Sequence, residues 1–276
     1  MPDQTQENKN TFYFEAYGVP LQIDSNEQSL LDEIKLILQQ TFGNNLRITG
    51  PLENPLLFGI DRDGGEFVMH KDGKVFTNGA VKDVFLRFFD SMVRVTIAEH
   101  AVDRVFVHAG VVGWKGKAIV IPGNSFSGKT TLVYELVRRG GEYFSDEYGV
   151  FDADGLVHPF PRRLAVRSRP EEGKSIETTY LTAEEIGGRA ATTPMPVSHV
   201  LFTEFQEDAA WKPELLTPGQ AVLEMVSHTA PIRYNPKLSF KILKKVTASA
   251  IILRSCRSDA VEFSEFFLEF VDNKAF

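Results

Sequence analysis

A glycine-rich segment between two regular elements constrains this chain more than any other feature. Residues 123–130 read GNSFSGKT, which fits the phosphate-binding pattern G-x-x-x-x-G-K-[ST]. Residues 117–121 before it predict a short buried strand, and residues 131–137 after it predict a helix. The alternative interpretation is a glycine-rich turn that only caps a helix, and both the Lys-Thr pair and the two flanks disfavour it. The sequence therefore predicts a nucleotide-binding loop.

The residue types of this loop suit phosphate binding. Backbone N–H groups of the loop and of the following helix point toward one spot, where the helix dipole adds positive charge. We expect Lys129 to reach the β- and γ-phosphates and Thr130 to bind the Mg²⁺ that bridges them. The predicted nucleotide-binding residues are Gly123, Asn124, Ser125, Phe126, Ser127, Gly128, Lys129, Thr130 and, as a secondary candidate, Thr131.

Composition indicates a soluble globular protein and disfavours several other classes. The 276 residues, 43% of them hydrophobic, suffice for one large domain or two moderate ones. A formal charge of −7 without a long Lys/Arg-rich stripe argues against general binding of nucleic acid. No apolar run is long enough to span a bilayer. The single Cys256 excludes an internal disulfide and the N-terminus lacks a secretion signal, so we expect a cytoplasmic protein.

The chain divides into a tail and two predicted domains. Residues 1–10 are nearly all polar and are expected to be disordered. Residues 11–101 predict a small N-terminal α+β domain, with a hairpin at Asp72-Gly73. Residues 102–276 carry the phosphate loop and predict an α/β domain, so the chain is α+β as a whole.

Two helices are predicted in the N-terminal domain. Ser25 and Gln28 form a candidate capping box for the first helix. The second helix is predicted over residues 81–101, where apolar side chains recur at helical spacing. We expect these side chains in the core: Val84, Phe85, Phe88, Phe89, Met92, Val95 and Ala98.

In the second domain, two adjacent strands are expected to present the phosphate loop. The first covers residues 104–112, and the second follows a turn and enters the loop directly. The polar, turn-rich residues 170–196 predict either a lid that contacts substrate or a disordered insertion. Further elements are predicted as strands at 142–145, 197–205 and 251–253, a hairpin turn at 152–155, and helices at 218–227, 236–249 and 258–271.

Four motifs follow one another in an informative order: His108 on a strand, the phosphate loop, Arg138-Arg139-Gly140 at a helix end, and Asp146-Glu147 after the next strand. This arrangement resembles the catalytic core of HPr kinase/phosphorylase, which carries a His-Gly motif, a phosphate loop, an Arg-Gly helix end and an Asp-Asp pair in the same order. Phosphoenolpyruvate carboxykinases share that core, and residues 146–149 are also similar to their acidic motif. The resemblance covers about residues 104–167 and implies an HPr kinase-like, PEP carboxykinase-like P-loop domain behind the smaller N-terminal domain.

The resemblance implies a role for each polar residue of these motifs. Asp146 would be the general base that accepts the proton of an acceptor hydroxyl during attack on the γ-phosphate. Glu147, with Thr130 and Asp146, would help hold Mg²⁺. His108 would lie close to Asp146 and share its proton or bind the metal, although a lone His on an apolar strand is more often a core residue. The implied ligands are ATP or GTP and Mg²⁺.

Two residues depart from the family pattern. Phe126 stands where the kinases have a glycine, and Glu147 stands where they have an aspartate. The N-terminal domain has no clear match to that of HPr kinases, so the acceptor is not inherited. Arg162, Arg163 and Arg167 are candidates for contacting phosphate, with plain surface charge as the alternative. Trp211, His199 and His228 are interpreted as structural.

The leading hypothesis is an ATP- and Mg²⁺-dependent kinase that phosphorylates a hydroxyl of a peptide or protein serine. One alternative is a nucleotide-sensing protein that has lost phosphoryl transfer, which Phe126 favours. Another is a small-molecule kinase on the same core. A carboxykinase is disfavoured because this chain is far shorter. The expected partners are a nucleotide and a hydroxyl acceptor, without nucleic acid or membrane, and the hexamers of HPr kinases leave a homo-oligomer open.

Overall fold

The computed structural model describes residues 10–160, 162–167 and 177–273. These residues form two compact units, one up to Asp103 and one from Arg104 onward. Helices and sheets are mixed in the described part of the chain, which agrees with the predicted α+β class. Of the predicted disordered tail only Asn10 is described, and it begins the first strand.

The first unit is one sheet with two helices. Its strands follow the order β3-β1-β2-β4-β5-β6, in which only β2 and β4 pair in parallel. The elements are β1 Asn10–Ala16, β2 Val19–Ser25, α1 Gln28–Phe42, a 3₁₀ turn Gly43–Asn45, β3 Leu46–Ile48, β4 Leu56–Asp63, β5 Glu66–Lys71, β6 Lys74–Gly79 and α2 Lys82–His100. The predicted hairpin at Asp72-Gly73 joins β5 to β6 and is confirmed.

The core of this unit lies between the sheet and the two helices. Every second residue of β2 is buried, as expected for a strand with one face on a core. Helix α1 buries a stripe at helical spacing, which includes Leu30, Ile34 and Leu38. These apolar faces explain why the two helices pack on the sheet.

Two details predicted for these helices are wrong. Glu27, not Ser25, is the N-cap residue of α1, and the Ser25 hydroxyl accepts a hydrogen bond from the Glu27 amide at 3.2 Å instead. Val84 and Phe88 lie on the exposed side of α2, with 56% and 40% of their surface accessible. The buried face of α2, which also includes polar side chains, is therefore rotated around the helix relative to the predicted apolar stripe.

The second unit contains the phosphate loop within a nine-stranded sheet. The strands of the whole unit are β7 Val105–Trp114, β8 Lys117–Pro122, β9 Glu142–Ser145, β10 Tyr148–Phe151, β11 Leu156–His158, β12 Leu164–Arg167, β13 Thr178–Leu181, β14 Arg189–Ala190, β15 Met195–Phe205, β16 Glu214–Leu215 and β17 Ile251–Arg257. Its helices are α3 Lys129–Arg138, α4 Pro218–Val226, a 3₁₀ turn Ala230–Arg233, α5 Pro236–Ala248 and α6 Ala260–Asn273. β12 and β13 form a separate hairpin.

Five strands of this sheet form a closed ring. β7 pairs with β8 and β10, β10 pairs with β11, and β15 completes the ring through β11 and β8. Within it, β8 and β15 run parallel, and β17 extends this parallel set on the far side of β15. The carboxyl ends of these three strands therefore meet at one edge, where open α/β sheets bind ligands.

Helices cover both faces of the sheet. Val107, Ala109 and Val111 of β7 share a buried cluster with apolar residues of α4 and α5. Val112, on the opposite face of the same strand, belongs to a second cluster with α3 and α6. Because side chains alternate along a strand, β7 contributes one face to each of the two cores.

The segment predicted as a lid or insertion is described only in part. Residues 170–176 lie outside the described residues, and the rest of the segment contains β13, β14, the turns between them and the first residues of β15. Within the described ranges, no helix is both long and apolar enough to cross a lipid bilayer.

Candidate functional site

The phosphate loop leaves the end of β8 and runs into α3 as predicted. The Gly123 amide donates to the His108 carbonyl at 3.2 Å, so the start of the loop is tied to β7. The Lys129 ammonium donates to the Asn124 carbonyl at 2.6 Å, across the inside of the loop. Burial lowers the pKa of Lys129 to about 8, Asp146 opposes this shift and Arg167 adds to it. A buried ammonium held by a carbonyl is ready to exchange that partner for phosphate oxygens.

The closed shape of the loop depends on glycine. Gly128 precedes α3 in the left-handed conformation, with φ of +84°. A Cβ atom there would lie 2.5 Å from Nη2 of Arg257, and a Cβ atom on Gly123 would lie 2.9 Å from the Ser127 hydroxyl. An alanine at either position would therefore force the neighbouring polar group to move.

A buried arginine supports the loop from the end of β17. Arg257 is 2% exposed and donates from Nη2 to the Gly128 carbonyl and from Nη1 to the Ser258 carbonyl, both at 2.9 Å. Burial lowers its pKa to about 10, and Asp259 partly opposes the shift. Arg257 therefore positions the glycine from which α3 begins. Sequence reasoning missed it, because it lies 129 residues from Gly128 and in no motif.

The loop threonine and the first acidic residue are in direct contact. The Thr130 hydroxyl donates to Oδ2 of Asp146 at 3.0 Å, and the Tyr143 hydroxyl donates to Oδ1 at 3.0 Å. Burial raises the pKa of the Asp146 carboxyl, although these two hydrogen bonds oppose the shift. The result is a buried carboxylate of increased basicity at the start of the loop helix.

The pairing of strands explains why Asp146 reaches the loop. β9 and β10 lie along the same side of β7, with Ser145 opposite Val111 and Tyr148 opposite His108. Asp146 and Glu147 form a break between the two strands. The Ser145 hydroxyl closes this break by accepting from the amides of Glu147 at 3.0 Å and Tyr148 at 2.9 Å. The acidic pair thus lies beside β7 at the level where β8 enters the loop.

The second acidic residue faces a different partner. The Glu147 carboxylate forms an ion pair with Arg162, and both side chains are about a quarter exposed. Glu147 also lines a cavity of about 360 Å³ together with His108, Asn124 and Ser125. The two predicted metal-binding carboxylates therefore have separate surroundings, Asp146 against Thr130 and Glu147 at the cavity wall.

Two histidines lie at this cavity. Burial and the nearby Lys129 charge lower the pKa of His108 to about 4, and the same two causes lower the pKa of His228. Both imidazoles are therefore neutral at pH 7. His108 shares the cavity with Glu147, and no hydrogen bond joins it to Asp146 in the described part of the chain.

No local sequence pattern marks His228 as a site residue, and its place at the cavity corrects the structural interpretation. The His228 carbonyl accepts from the His108 amide at 2.7 Å, and Thr229 bridges to Val107. This pairing brings the segment after α4 alongside the first half of β7. His228 thereby reaches the cavity wall, while Trp211 and His199 pack against aromatic residues of α6.

The three candidate arginines separate in the structure. Arg162 pairs with Glu147, and Arg163 makes an exposed 3.8 Å contact with Glu185. Arg167 lies over the ring of Phe126, with 4.4 Å between guanidinium carbon and ring centroid. Two of the three thus lie at the site.

The donor set at the loop suits a hard cation bound with a nucleotide. Thr130 and Asp146 bring two oxygen donors together, and the buried Ser127 hydroxyl in the loop has no partner among the described residues. No group of three or more His, Cys, Asp or Glu side chains in the described ranges forms a complete metal cage. Mg²⁺ commonly takes only one or two carboxylates and completes its shell with phosphates and water.

A scan against models of known protein families gives no match for this chain, and a search of curated proteins gives no similar sequence. The resemblance to HPr kinases therefore rests on the residues of the motifs and on their order.

Proposed function

We propose that this protein is an ATP- and Mg²⁺-dependent kinase that transfers the γ-phosphate to a hydroxyl, most readily that of a serine in a peptide or protein. The observation that carries the proposal is the 3.0 Å hydrogen bond between the loop residue Thr130 and the carboxylate of Asp146. It joins a phosphate-binding loop to a potential base within one site. The corresponding fold proposal is an HPr kinase-like, PEP carboxykinase-like core.

The loop and its cations account for phosphate binding. Amides at the start of α3 and the Lys129 ammonium bind the β- and γ-phosphates, which are tetrahedral anions that suit a helix N-terminus. Arg167, held at Phe126, adds a second positive charge close enough to Lys129 to lower its pKa. Phosphoryl transfer depends chiefly on such positioning and neutralisation of charge, so these groups supply most of what the reaction requires.

Asp146 is the group suited to accept the proton. A base works best with a pKa near the working pH, and burial moves Asp146 in that direction. As the acceptor hydroxyl attacks phosphorus, its proton passes to the carboxylate and ADP leaves. Thr130, Asp146 and Glu147 would hold Mg²⁺, which would neutralise phosphate charge.

A nucleotide-sensing protein without transfer is the second candidate. One observation favours it: both carboxylate oxygens of Asp146 already accept hydrogen bonds, from Thr130 and Tyr143. In that case the bound nucleotide would change the affinity of the protein for a partner, and no phosphate would be transferred. A small-molecule kinase differs from the leading proposal only in the acceptor.

The test is an unbiased labelling experiment. Host proteins are incubated with γ-labelled ATP, Mg²⁺ and either wild type or Asp146→Asn, and ATP affinity is measured for both. The kinase proposal expects discrete labelled acceptors with wild type and none with Asp146→Asn, at similar ATP affinity. Tight ATP binding without any labelled protein or small molecule would favour the sensor.

A further inference from the structure

A second cavity, of about 390 Å³, lies beside the phosphate loop. It is formed at the carboxyl ends of β8, β15 and β17, the edge at which sheets of this kind bind ligands. Gly123 and Ser127 line it from the loop, Thr203 and Glu204 from β15, and Arg254 from β17. Gly123 and Ser127 are also predicted nucleotide-binding residues, whereas the lining from β15 and β17 has no role in the site described above.

Polar atoms of its lining lack partners. The hydroxyls of Ser127 and Thr203 and Nδ1 of His228 are buried without a hydrogen-bond partner among the described residues. Thr203 is only 7% exposed. Buried polar groups are normally satisfied, so three unsatisfied ones around one cavity indicate that a polar ligand completes them.

The two cavities are neighbours. Asn124 and His228 line both the first cavity, which contains His108 and Glu147, and the second. The Asn124 carbonyl also accepts from the Lys129 ammonium, the group that reaches the β- and γ-phosphates. Both cavities therefore border the end of the nucleotide site from which phosphate would leave.

The charge of the second cavity is acidic. Its lining contains three carboxylates, Glu204, Glu214 and Glu224, against the two cations Lys212 and Arg254. Arg254 forms ion pairs with both Glu214 and Glu224. No described residue pairs with the Glu204 side chain. Lys212 is likewise without an ion-pair partner among the described residues. Bound triphosphate would add further negative charge beside this cavity, so the summed charge there favours a cationic group.

We propose that the two cavities together form the acceptor site, and that the second one binds a cationic side chain next to the serine that is phosphorylated. The serine hydroxyl lies in the first cavity, near His108 and Glu147. The neighbouring lysine or arginine of the acceptor enters the second cavity, where Glu204 binds its charge. This inference rests on the proposed function, because it takes the first cavity as the place of transfer.

Binding of short peptides tests this site without requiring turnover. The full-length protein, saturated with a non-hydrolysable ATP analogue and Mg²⁺, is titrated with blocked Gly-X-Ser-X-Gly peptides in which X is Lys, Gln or Glu. We expect the Lys peptide to bind about fivefold or more tightly than the Gln peptide, and the Glu peptide to bind worst. Equal binding of the three peptides, or preference for the Glu peptide, would overturn the proposal.

Variants locate the source of the preference. Glu204→Gln is expected to reduce the preference for Lys over Gln by about fivefold, and Glu204→Lys to reverse it. Glu207→Gln removes a second exposed carboxylate, just beyond β15 and outside the cavity, so it should leave the preference unchanged. If Glu207→Gln abolishes the preference as strongly as Glu204→Gln, general charge is responsible and the assigned site is wrong.

The peptide-binding experiment can fail or succeed independently of the kinase proposal. Binding of the Lys peptide without its phosphorylation would support the cation site and count against transfer. Phosphorylation of host proteins together with no charge preference in peptide binding would support the kinase and overturn the cation site.

Discussion

Arg167 lies over the aromatic ring of Phe126, with its guanidinium carbon 4.4 Å from the ring centroid. Phe126 adopts a φ of +70°, and its side chain is 81% exposed. A left-handed phenylalanine costs about 1 kcal/mol or more, so the loop keeps this residue despite strain. The contact gives Phe126 a role as a platform that holds a cation beside Lys129.

Because Phe126 holds Arg167 in place, mutations of these two residues should have non-additive effects on ATP affinity. Phe126→Leu and Arg167→Gln should each weaken ATP binding about fivefold, and the double variant should be no weaker than either, because the lost contact is shared. Phe126→Tyr keeps the ring and should bind ATP within about twofold of wild type. Calorimetric titration measures all four variants, with the surface variant Arg163→Gln as control. Additive losses would show that the two residues act independently.

Arg257 should be required for stability. Arg257→Met removes two hydrogen bonds from a buried cation to carbonyls and should lower the free energy of unfolding by about 2 to 3 kcal/mol. Chemical denaturation measures this change. Arg189→Met breaks an exposed ion pair to Glu142 and should cost less than about 1 kcal/mol. Equal effects of the two variants would contradict the assigned role.

Two glycines with similar backbone angles should respond differently to alanine. Gly128→Ala places a Cβ atom 2.5 Å from Arg257, so we expect loss of ATP binding by more than about tenfold. Gly116→Ala has a similar φ, +77°, but no atom within 4 Å of the added carbon. It should cost only about 1 kcal/mol of stability and leave ATP affinity unchanged. Retained ATP affinity in Gly128→Ala would disprove the tight fit.

Acid sensitivity should depend on His199. Burial, with a smaller contribution from Lys117, lowers its folded-state pKa to about 4. In the unfolded chain this histidine has an ordinary pKa of about 6.5 and is protonated as the pH falls below that value, while in the folded state it stays neutral. The free energy of unfolding therefore decreases as the pH falls from about 6.5 to about 4. Over that pH range the free energy of unfolding of His199→Gln should decrease by about 2 kcal/mol less than that of wild type. Urea denaturation at several pH values measures this difference. An identical pH slope in the variant would count against the burial of a neutral imidazole.

Local patterns allowed much of the second unit to be predicted. The phosphate loop, its flanking strand and helix, and the hairpin after β10 depend on residues close in sequence, and the structure contains them. The site itself depends on long-range pairing. Residues 228–229 reach β7 by backbone bonds, and Arg257 reaches Gly128 from the other end of the unit. Sequence spacing carries no information on such contacts.

Burial was also harder to predict than periodicity. Val84 and Phe88 fit a helical stripe, yet they lie outside the buried face of α2, because apolar composition does not fix which face of the helix packs against its neighbours. Ser25 and Gln28 fit a capping box, yet the chain enters α1 through Glu27. Local motifs therefore predicted that these helices exist, whereas tertiary packing determined where they begin and which faces are buried.

Asp146 is proposed to accept the proton during phosphate transfer, and a paired measurement of ATP binding and transfer tests this role. ATP affinity and the rate of phosphate transfer to a labelled acceptor are determined together for wild type, Asp146→Asn and Lys129→Ala, with the surface variant Asp154→Asn as control. We expect Asp146→Asn to bind ATP within about threefold of wild type while transfer falls at least about a hundredfold, and Lys129→Ala to lose binding. Transfer that persists in Asp146→Asn at the wild-type rate would show that Asp146 is not the base.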